Sequence, residues 1–447
     1  MNWQKNFWTR WILPVAGVFI LGWTLGACNL LEVNNPNNLV EDDLNNPAAA
    51  EAMANGVEAT VTRAVGAIMA PYGTVTDELT WVGSRDAWGQ LDLGNVDDPF
   101  NEFTDAAFPY VAEARWWADD VIKRLEQFQS DGKLRDRKQL ARAYLYGAVI
   151  YVTIADMFDD FAFSDRQEPG PPIGRDGIPA LYDKAVGYLD NALSIAESMG
   201  DATMQKAILT LRARAKYDKA LRAKLRPGNV DTANPLVNDA GAVADAQAAL
   251  ALIGSEDFAF KLDFDPSAPD LINGAVSVGF QVNSRLELRF GDTYIEPTDD
   301  NKRVKAVSFQ DIIDPVVHPF MERTINELVA AERYMDITVS SAREMHLILA
   351  EAALASGNEG AFTAHINALR AMDGLTEYNG QVPAMDMLKH ARQTYLFLQG
   401  RRLADHYRFD VPSPEWQSIG TAAQKPGTFF PITITEIQAN PLIGGGQ

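Results

Sequence analysis

Apolar residues recur at helical spacing through most of this chain. Between 178 and 199, Tyr182, Ala185, Val186, Leu189, Ala192 and Leu193 fall at i, i+3, i+4, i+7, i+10 and i+11, a single stripe that predicts a helix with one buried face. The same pattern predicts helices over 110–129, 136–159, 202–225 and 240–253. Another is opened by Asn46-Pro47, a cap followed by a first-turn proline, and runs through Met53, Val57 and Val61 to about Ala70. Ser341 and Glu344 stand at capping-box spacing before Met345, Leu347, Ile348 and Leu349, Gly357 ends that helix, and Ala361, Phe362, Ile366 and Leu369 edge the next. Residues 341–373 thus read as a helical pair like a tetratricopeptide repeat. The pairs 136–159 with 178–199 and 202–225 with 240–253 read as degenerate copies, but their unequal separations do not make a regular solenoid.

The pattern changes between 254 and 339. Alternation in Val276-Ser277-Val278-Gly279-Phe280-Gln281-Val282 and in Leu286-Glu287-Leu288-Arg289-Phe290 predicts small sheet or hairpin pieces. Residues 71–109 and 160–177, rich in Gly, Pro, Asp and aromatics, read as long ordered loops, and loops of that length carry function or are disordered. The expectation is a mostly α chain, with one helical domain over 28–447 and loop- and hairpin-rich insertions at 71–109 and 254–339.

The amino terminus carries a different signal. Lys5 and Arg10 precede an uncharged apolar stretch, Trp11 to Leu25, which ends at Leu25-Gly26-Ala27-Cys28, and Cys28 is the only cysteine. This reads as a lipoprotein signal peptide over 1–27 with lipid attachment at Cys28, several acyl chains anchoring stably where one binds reversibly. The rival reading is a membrane helix over Trp11–Leu31, which Pro14 and Gly17 weaken. Losing Lys5 and Arg10 moves the formal charge from −21 to −23, which argues against nucleic acid as a partner and disfavours strongly acidic polysaccharides. A lone cysteine leaves no internal disulfide.

Several segments share an order and placement with one known family. These are Leu30-Leu31-Glu32-Val33-Asn34-Asn35-Pro36-Asn37, Asp42-Asp43-Leu44-Asn45-Asn46-Pro47-Ala48, Arg343 to Ala352 with Ile366-Asn367-Ala368-Leu369-Arg370, Phe397-Leu398-Gln399-Gly400-Arg401-Arg402-Leu403-Ala404-Asp405, and Phe430-Pro431-Ile432 through Asn440-Pro441. Together they resemble the SusD/RagB family of outer-membrane nutrient-binding lipoproteins. The resemblance implies a tetratricopeptide-like helical scaffold with an irregular ligand-binding half. It also implies a cell-surface, outer-membrane location and a SusC-like TonB-dependent β-barrel transporter as partner. The implied ligand is an oligosaccharide or, in some branches, a peptide, with no catalysis and no cofactor. Gln399 stands where the family usually has Glu, which puts in doubt any ion pair that glutamate would make.

A ligand site for sugar needs aromatic faces beside hydrogen-bonding side chains. Glu78 to Gln90 has that mixture: Trp81 and Trp88 are candidates for stacking, and Arg85, Asp86, Gln90 and Asn101 for hydrogen bonding. For each tryptophan, anchoring of the loop is an equally weighted reading. Trp116 and Trp117, adjacent on a helix, point about 100° apart and cannot both stack on one small ring. Tyr144, Tyr146 and Tyr151 read as structural, and Trp416 as a pin for a carboxyl-terminal turn; Arg401, Arg402 and Asp405, on a predicted helix that also carries Tyr395, Leu396, Phe397 and Leu398, and Glu351 read as charge-assisted contacts between helices. The five histidines lack the two-His helical spacing of a zinc hydrolase. Asp263, Asp265 and Ser267 begin like a calcium loop, but Ala268 and Gly274 stand where glycine and glutamate are needed, so no metal is expected. A lipid-anchored glycoside hydrolase and a helical-repeat envelope scaffold remain as alternatives, the first because two carboxylates need only converge in space.

Overall fold

Helices build the chain and short strand pairs tie them together. The computed structural model describes residues 44–165, 168–264, 277–297 and 304–444. The leader, Cys28 and the motif at Leu30–Asn37 lie outside the described residues, as do Val276, Asp265, Ser267, Ala268 and Gly274. The chain divides into two units, Met1–Ala49 and Ala50–Gln447. In the described part of the first, Asn46 accepts the Ala48 N–H on its side chain and the Ala49 N–H on its carbonyl, opening a 3-10 turn at Pro47–Ala49.

The second unit begins with α1 (Ala50–Thr74), β1 (Leu79–Trp81), α2 (Asp86–Asp92), α3 (Glu102–Ser130) and α4 (Lys138–Met157). Next come α5 (Ile178–Met199), α6 (Ala202–Arg222), β2 (Leu225–Arg226), β3 (Asn229–Val230), α7 (Ala240–Ile253) and β4 (Ala259–Leu262). The middle holds β5 (Leu288–Phe290), β6 (Ile295–Pro297), β7 (Val304–Val307), α8 (Pro319–Ala330) and β8 (Ile337–Ser341). The chain closes with α9 (Ala342–Ala355), α10 (Glu359–Met372), α11 (Ala384–Tyr395), α12 (Arg402–Arg408), α13 (Thr421–Gln424) and α14 (Ile434–Ala439). Among the described residues the strands form antiparallel pairs, β1 with β5, β2 with β3, β4 with β8 and β6 with β7. The fold is mostly α.

Consecutive helices stack as the periodicity predicts. Helix α4 packs on α5, α5 on α6, α6 on α7, and α9 on both α7 and α10, while α1, α3 and α4 pack on one another. The α5 stripe is buried at Tyr182, Ala185, Leu189 and Ala192, with Val186 and Leu193 half-buried on its flank, and each fully buried large apolar side chain contributes about 1.5–3 kcal/mol. Gly200, at φ 66°, stops the helix in a left-handed turn that suits glycine. Ser341 caps α9 by accepting the Glu344 N–H, and Gly357 at φ 70° turns the chain into α10. Glu344 does not complete the capping box; its carboxylate meets Arg401 instead.

Three expectations are corrected. The alternation predicts Val278 and Val282 as strand positions, but they also lie four apart, on one face of a helical turn. Ser277 accepts the Phe280 N–H on its hydroxyl and the Gln281 N–H on its carbonyl, and the segment closes as a π-helix at Phe280–Arg285. Residues 71–109 are not a loop: they hold the end of α1, then β1 and α2, and the start of α3. The helix expected to carry both Tyr395 and Asp405 is broken at Leu396–Arg401, where Leu398 and Gly400 take φ 52° and 76°.

That break serves a buried layer of charge. Arg402 donates twice to Asp77 at 2.7 Å, Arg401 donates to Glu344, and Asp405 accepts from Arg392 and Arg408. Glu351, fully buried, accepts from Arg408, Tyr217 and the Val237 N–H. Paired in this way, the charges tie the turn after α1 to α12, and α9 to α11 and α12, with the Tyr217 hydroxyl of α6 joining at Glu351. Gln399 makes no ion pair; its Nε2 donates to the Tyr395 carbonyl at 2.8 Å.

Candidate ligand-binding surface

Strand β1 delivers Trp81 to a turn held from a distant part of the chain. Leu79, Thr80 and Trp81 pair with Phe290, Arg289 and Leu288. Beyond the pairing, the N–H groups of Val82 and Gly83 donate to the Glu287 carbonyl, both at 3.0 Å. The Glu287 carboxylate then accepts from the Ser84 N–H at 2.9 Å, the Ser84 hydroxyl at 3.2 Å and the Arg85 N–H at 3.1 Å. Burial alone would raise this carboxyl, but the Arg85 and Ser84 N–H groups outweigh it and hold the group below its ordinary value. Helix α2 follows, and its Gly89 lets the Trp81 ring approach where a Cβ would stand only 2.8 Å away.

The structure separates the six candidate side chains by role. Trp88 is buried, 1% exposed, and stacks on Phe103 with ring centroids 3.7 Å apart, so it anchors α2 to α3 and offers no face to a ligand. Asn101 is buried as the cap of α3: its side-chain oxygen accepts from Phe103 and Thr104, and its amide donates to the Ala87 carbonyl at 2.8 Å. For Trp88 the packing agrees with the anchoring alternative, and Asn101, a candidate hydrogen-bonding partner for ligand, has its side chain engaged in the cap. Trp81 is half-buried, Asp86 is exposed, and Gln90 accepts from the Asn95 amide at 2.8 Å. Arg85 pairs with Glu102 and lies 4.8 Å over the Phe103 ring. The turn missed by the sequence reading is Asp98-Pro99-Phe100. Asp98 accepts the Phe100 N–H at 2.9 Å, and the Phe100 ring, 69% exposed, stands free two residues from Glu102. Its setting among Asp, Pro and Asn was the available signal. Asn101→Ala is expected to cost about 1–2 kcal/mol, the usual loss of a cap, and urea unfolding followed by far-ultraviolet circular dichroism measures it.

Trp416 pins the adjoining carboxyl-terminal turn, its indole N–H donating to the Val75 carbonyl at 2.6 Å. Tyr144, Tyr146 and Tyr151 are buried, with hydroxyls on Glu126, Glu58 and Asp119. Asp311, His318 and His390 are the described residues with metal-ligand spacing. Their donors do not suit an ion. His318 accepts the Phe320 N–H on Nδ1, which leaves its proton on Nε2 facing Asp311, and Arg370 donates to both Asp311 oxygens at 2.9 and 3.0 Å.

The same cluster sets a pH dependence. Burial, then the neighbouring His318, lower His390 from 6.5 to about 4. Between those values the unfolded chain binds the extra proton, so the stability is complete above pH 6.5 and is lost as pH falls through 4, by about 3 kcal/mol. His390→Gln is expected to flatten the fall in melting temperature between pH 7 and 4; parallel profiles for the two proteins would refute it.

No protein-family model and no curated protein matches the sequence. Solved structures do. A SusD superfamily protein from Bacteroides thetaiotaomicron is similar over 89% of this chain and 98% of its own, with a TM-score of 0.62 at 14% identity. A SusD homolog from the same organism gives 0.59 at 13% identity over 90% and 97%. A proposed sugar-binding protein from Bacteroides vulgatus gives 0.56 at 14% identity over 88% and 97%. At such identities the likeness speaks to architecture, and it extends across nearly the whole of both chains: the fold of this chain is the SusD-like fold.

Proposed function

We propose that this chain is a lipid-anchored, surface-exposed binder that captures oligosaccharides and passes them to a TonB-dependent outer-membrane transporter, without catalysis. The observation that carries this reading is the SusD-like fold, shared over almost full length with a proposed sugar-binding protein. The exposed Phe100 ring, the part-exposed Trp81 and the polar side chains of Arg85, Asp86 and Gln90 supply the mixture of apolar faces and hydrogen-bonding groups that a glycan requires. A net charge of −23 after loss of the leader favours neutral glycans. Acylation at Cys28 would hold the binder beside the pore and raise its effective concentration there.

The test is the intact mass, in mild detergent, of the protein purified from its native membrane. A stoichiometric complex with a larger β-barrel protein is the expected result; a lone acylated protein in several detergents overturns the hand-over. Cys28→Ala is expected to release the protein from the membrane fraction. Phe100→Ala, at an exposed position that packing does not need, is expected to weaken glycan affinity about ten-fold, roughly 1.4 kcal/mol, in titration calorimetry. Release of reducing ends from the same glycans would instead favour the hydrolase reading.

A further inference from the structure

Away from that surface, α8 and the β4–β8 pair enclose a cleft of about 210 Å3, smaller than the roughly 300–1,000 Å3 of pockets for drug-sized ligands. One wall is a stripe of α8: Phe320, Arg323, Thr324, Glu327 and Leu328 fall at i, i+3, i+4, i+7 and i+8. The facing wall is Ala259 and Lys261, alternate residues of β4, with Asp257 just before that strand and Asp336 from the approach to β8. Met69, Phe397 and Leu398 add apolar surface, and Gln399 lines the cleft beside them.

Gln399 is the informative residue. It is 6% exposed, and its Nε2 donates to the Tyr395 carbonyl. A carbonyl only accepts, so the amide cannot be flipped, and its Oε1 is left buried with no donor among the described residues. A buried acceptor without a partner costs about 1–3 kcal/mol, which a ligand N–H or O–H would recover. The aromatic rings of the cleft are already covered. Arg343, held by Asp257 and Asp373, lies 4.6 Å over Phe320 and 5.0 Å over Tyr395, and Phe397 sits 4.7 Å from the Tyr294 ring. No bare ring face is offered to a sugar. Instead the walls carry both signs of charge, Lys261 and Arg323 with Glu327 and Asp336.

From this combination we propose a second binding site, for a free α-amino acid with a hydroxyl or amide side chain. The charged walls take its carboxylate and ammonium groups, and its side-chain donor satisfies Gln399. The site is independent of the glycan reading. Titration calorimetry of the full-length protein with L-glutamine, L-serine and L-threonine, and with glucose as the neutral control, tests it. Saturable binding of at least one amino acid below about 10 mM is expected, with none for glucose. Gln399→Met, similar in volume, and Ala259→Leu, which fills the cleft, should each weaken it at least ten-fold. Arg323, with a side chain 46% exposed, can be removed without disturbing the core, so Arg323→Ala provides the reading if Gln399→Met does not fold. Absence of amino-acid binding, or binding undiminished in these variants, would overturn the proposal. Glycan affinity unchanged in Ala259→Leu would separate the two sites.

Discussion

Alanine in place of Arg408 is expected to destabilise the chain by about 3–5 kcal/mol, the cost of breaking a buried ion pair from one side. Arg408 is wholly buried and donates to Glu351, Asp405 and the Pro235 carbonyl. Glu351 is equally buried, and after the change it keeps the Tyr217 hydroxyl, the Val237 N–H and a longer contact to Arg392 at 3.4 Å. An ionised carboxylate would then sit in apolar surroundings with half its compensation gone. Loss on this scale is a large share of the 5–15 kcal/mol typical of a folded domain. Urea unfolding of the variant should show a midpoint far below that of Arg323→Ala, whose half-exposed guanidinium makes only a 3.4 Å contact to Asp373. Removing both charges together, as Arg408→Met with Glu351→Leu, should recover part of the loss. If the double variant is no more stable than Arg408→Ala, the cost lies in packing and the electrostatic account fails.

The layer also explains which parts of the molecule could be read in advance. Helices α5 and α7 match their expected limits because each is set by local events: an apolar stripe, an Asp239 cap accepting the Ala242 N–H, and glycines at the ends. The break at Leu396–Arg401 was masked by a continuous run of helix formers, and it exists because Arg401, Arg402 and Asp405 must reach partners on other elements. Helix α8 does not stand out in the sequence because its cap is His318, which is not one of the Ser, Thr, Asp or Asn residues that usually open a helix; only Pro319 in the first turn marks its start. Within the candidate surface, residue chemistry picked out the stretch but not where each side chain would lie. The burial of Trp88 depends on Phe103, and the capping by Asn101 on where α3 begins. Glu287, 203 residues from Ser84, could not be linked to it by any local pattern.

That distant carboxylate makes Gly83 the most sensitive position of the surface. A Cβ built on Gly83 would stand 2.0 Å from the Glu287 Oε2 and 2.6 Å from the Glu287 Cα. The second clash is with backbone, so no rotamer relieves it, and Gly83→Ala must push β1 from the Glu287 carbonyl or expel the carboxylate from the Ser84 and Arg85 N–H groups. Hydrogen bonds to a charged group contribute about 1.5–3 kcal/mol each, and losing most of this set is expected to cost about 3–5 kcal/mol of local order. The helical scaffold does not depend on those bonds. Glycan affinity should therefore fall by a hundred-fold or more while the far-ultraviolet spectrum holds and hydrogen exchange rises only over 79–92 and 285–291. Glu287→Gln tests the same point more gently. Its amide keeps one acceptor oxygen but loses the charge, and an intermediate loss of affinity is expected. Unaltered affinity in both variants would mean that the turn at 82–85 takes no part in binding, and the ligand would then have to be sought on another face.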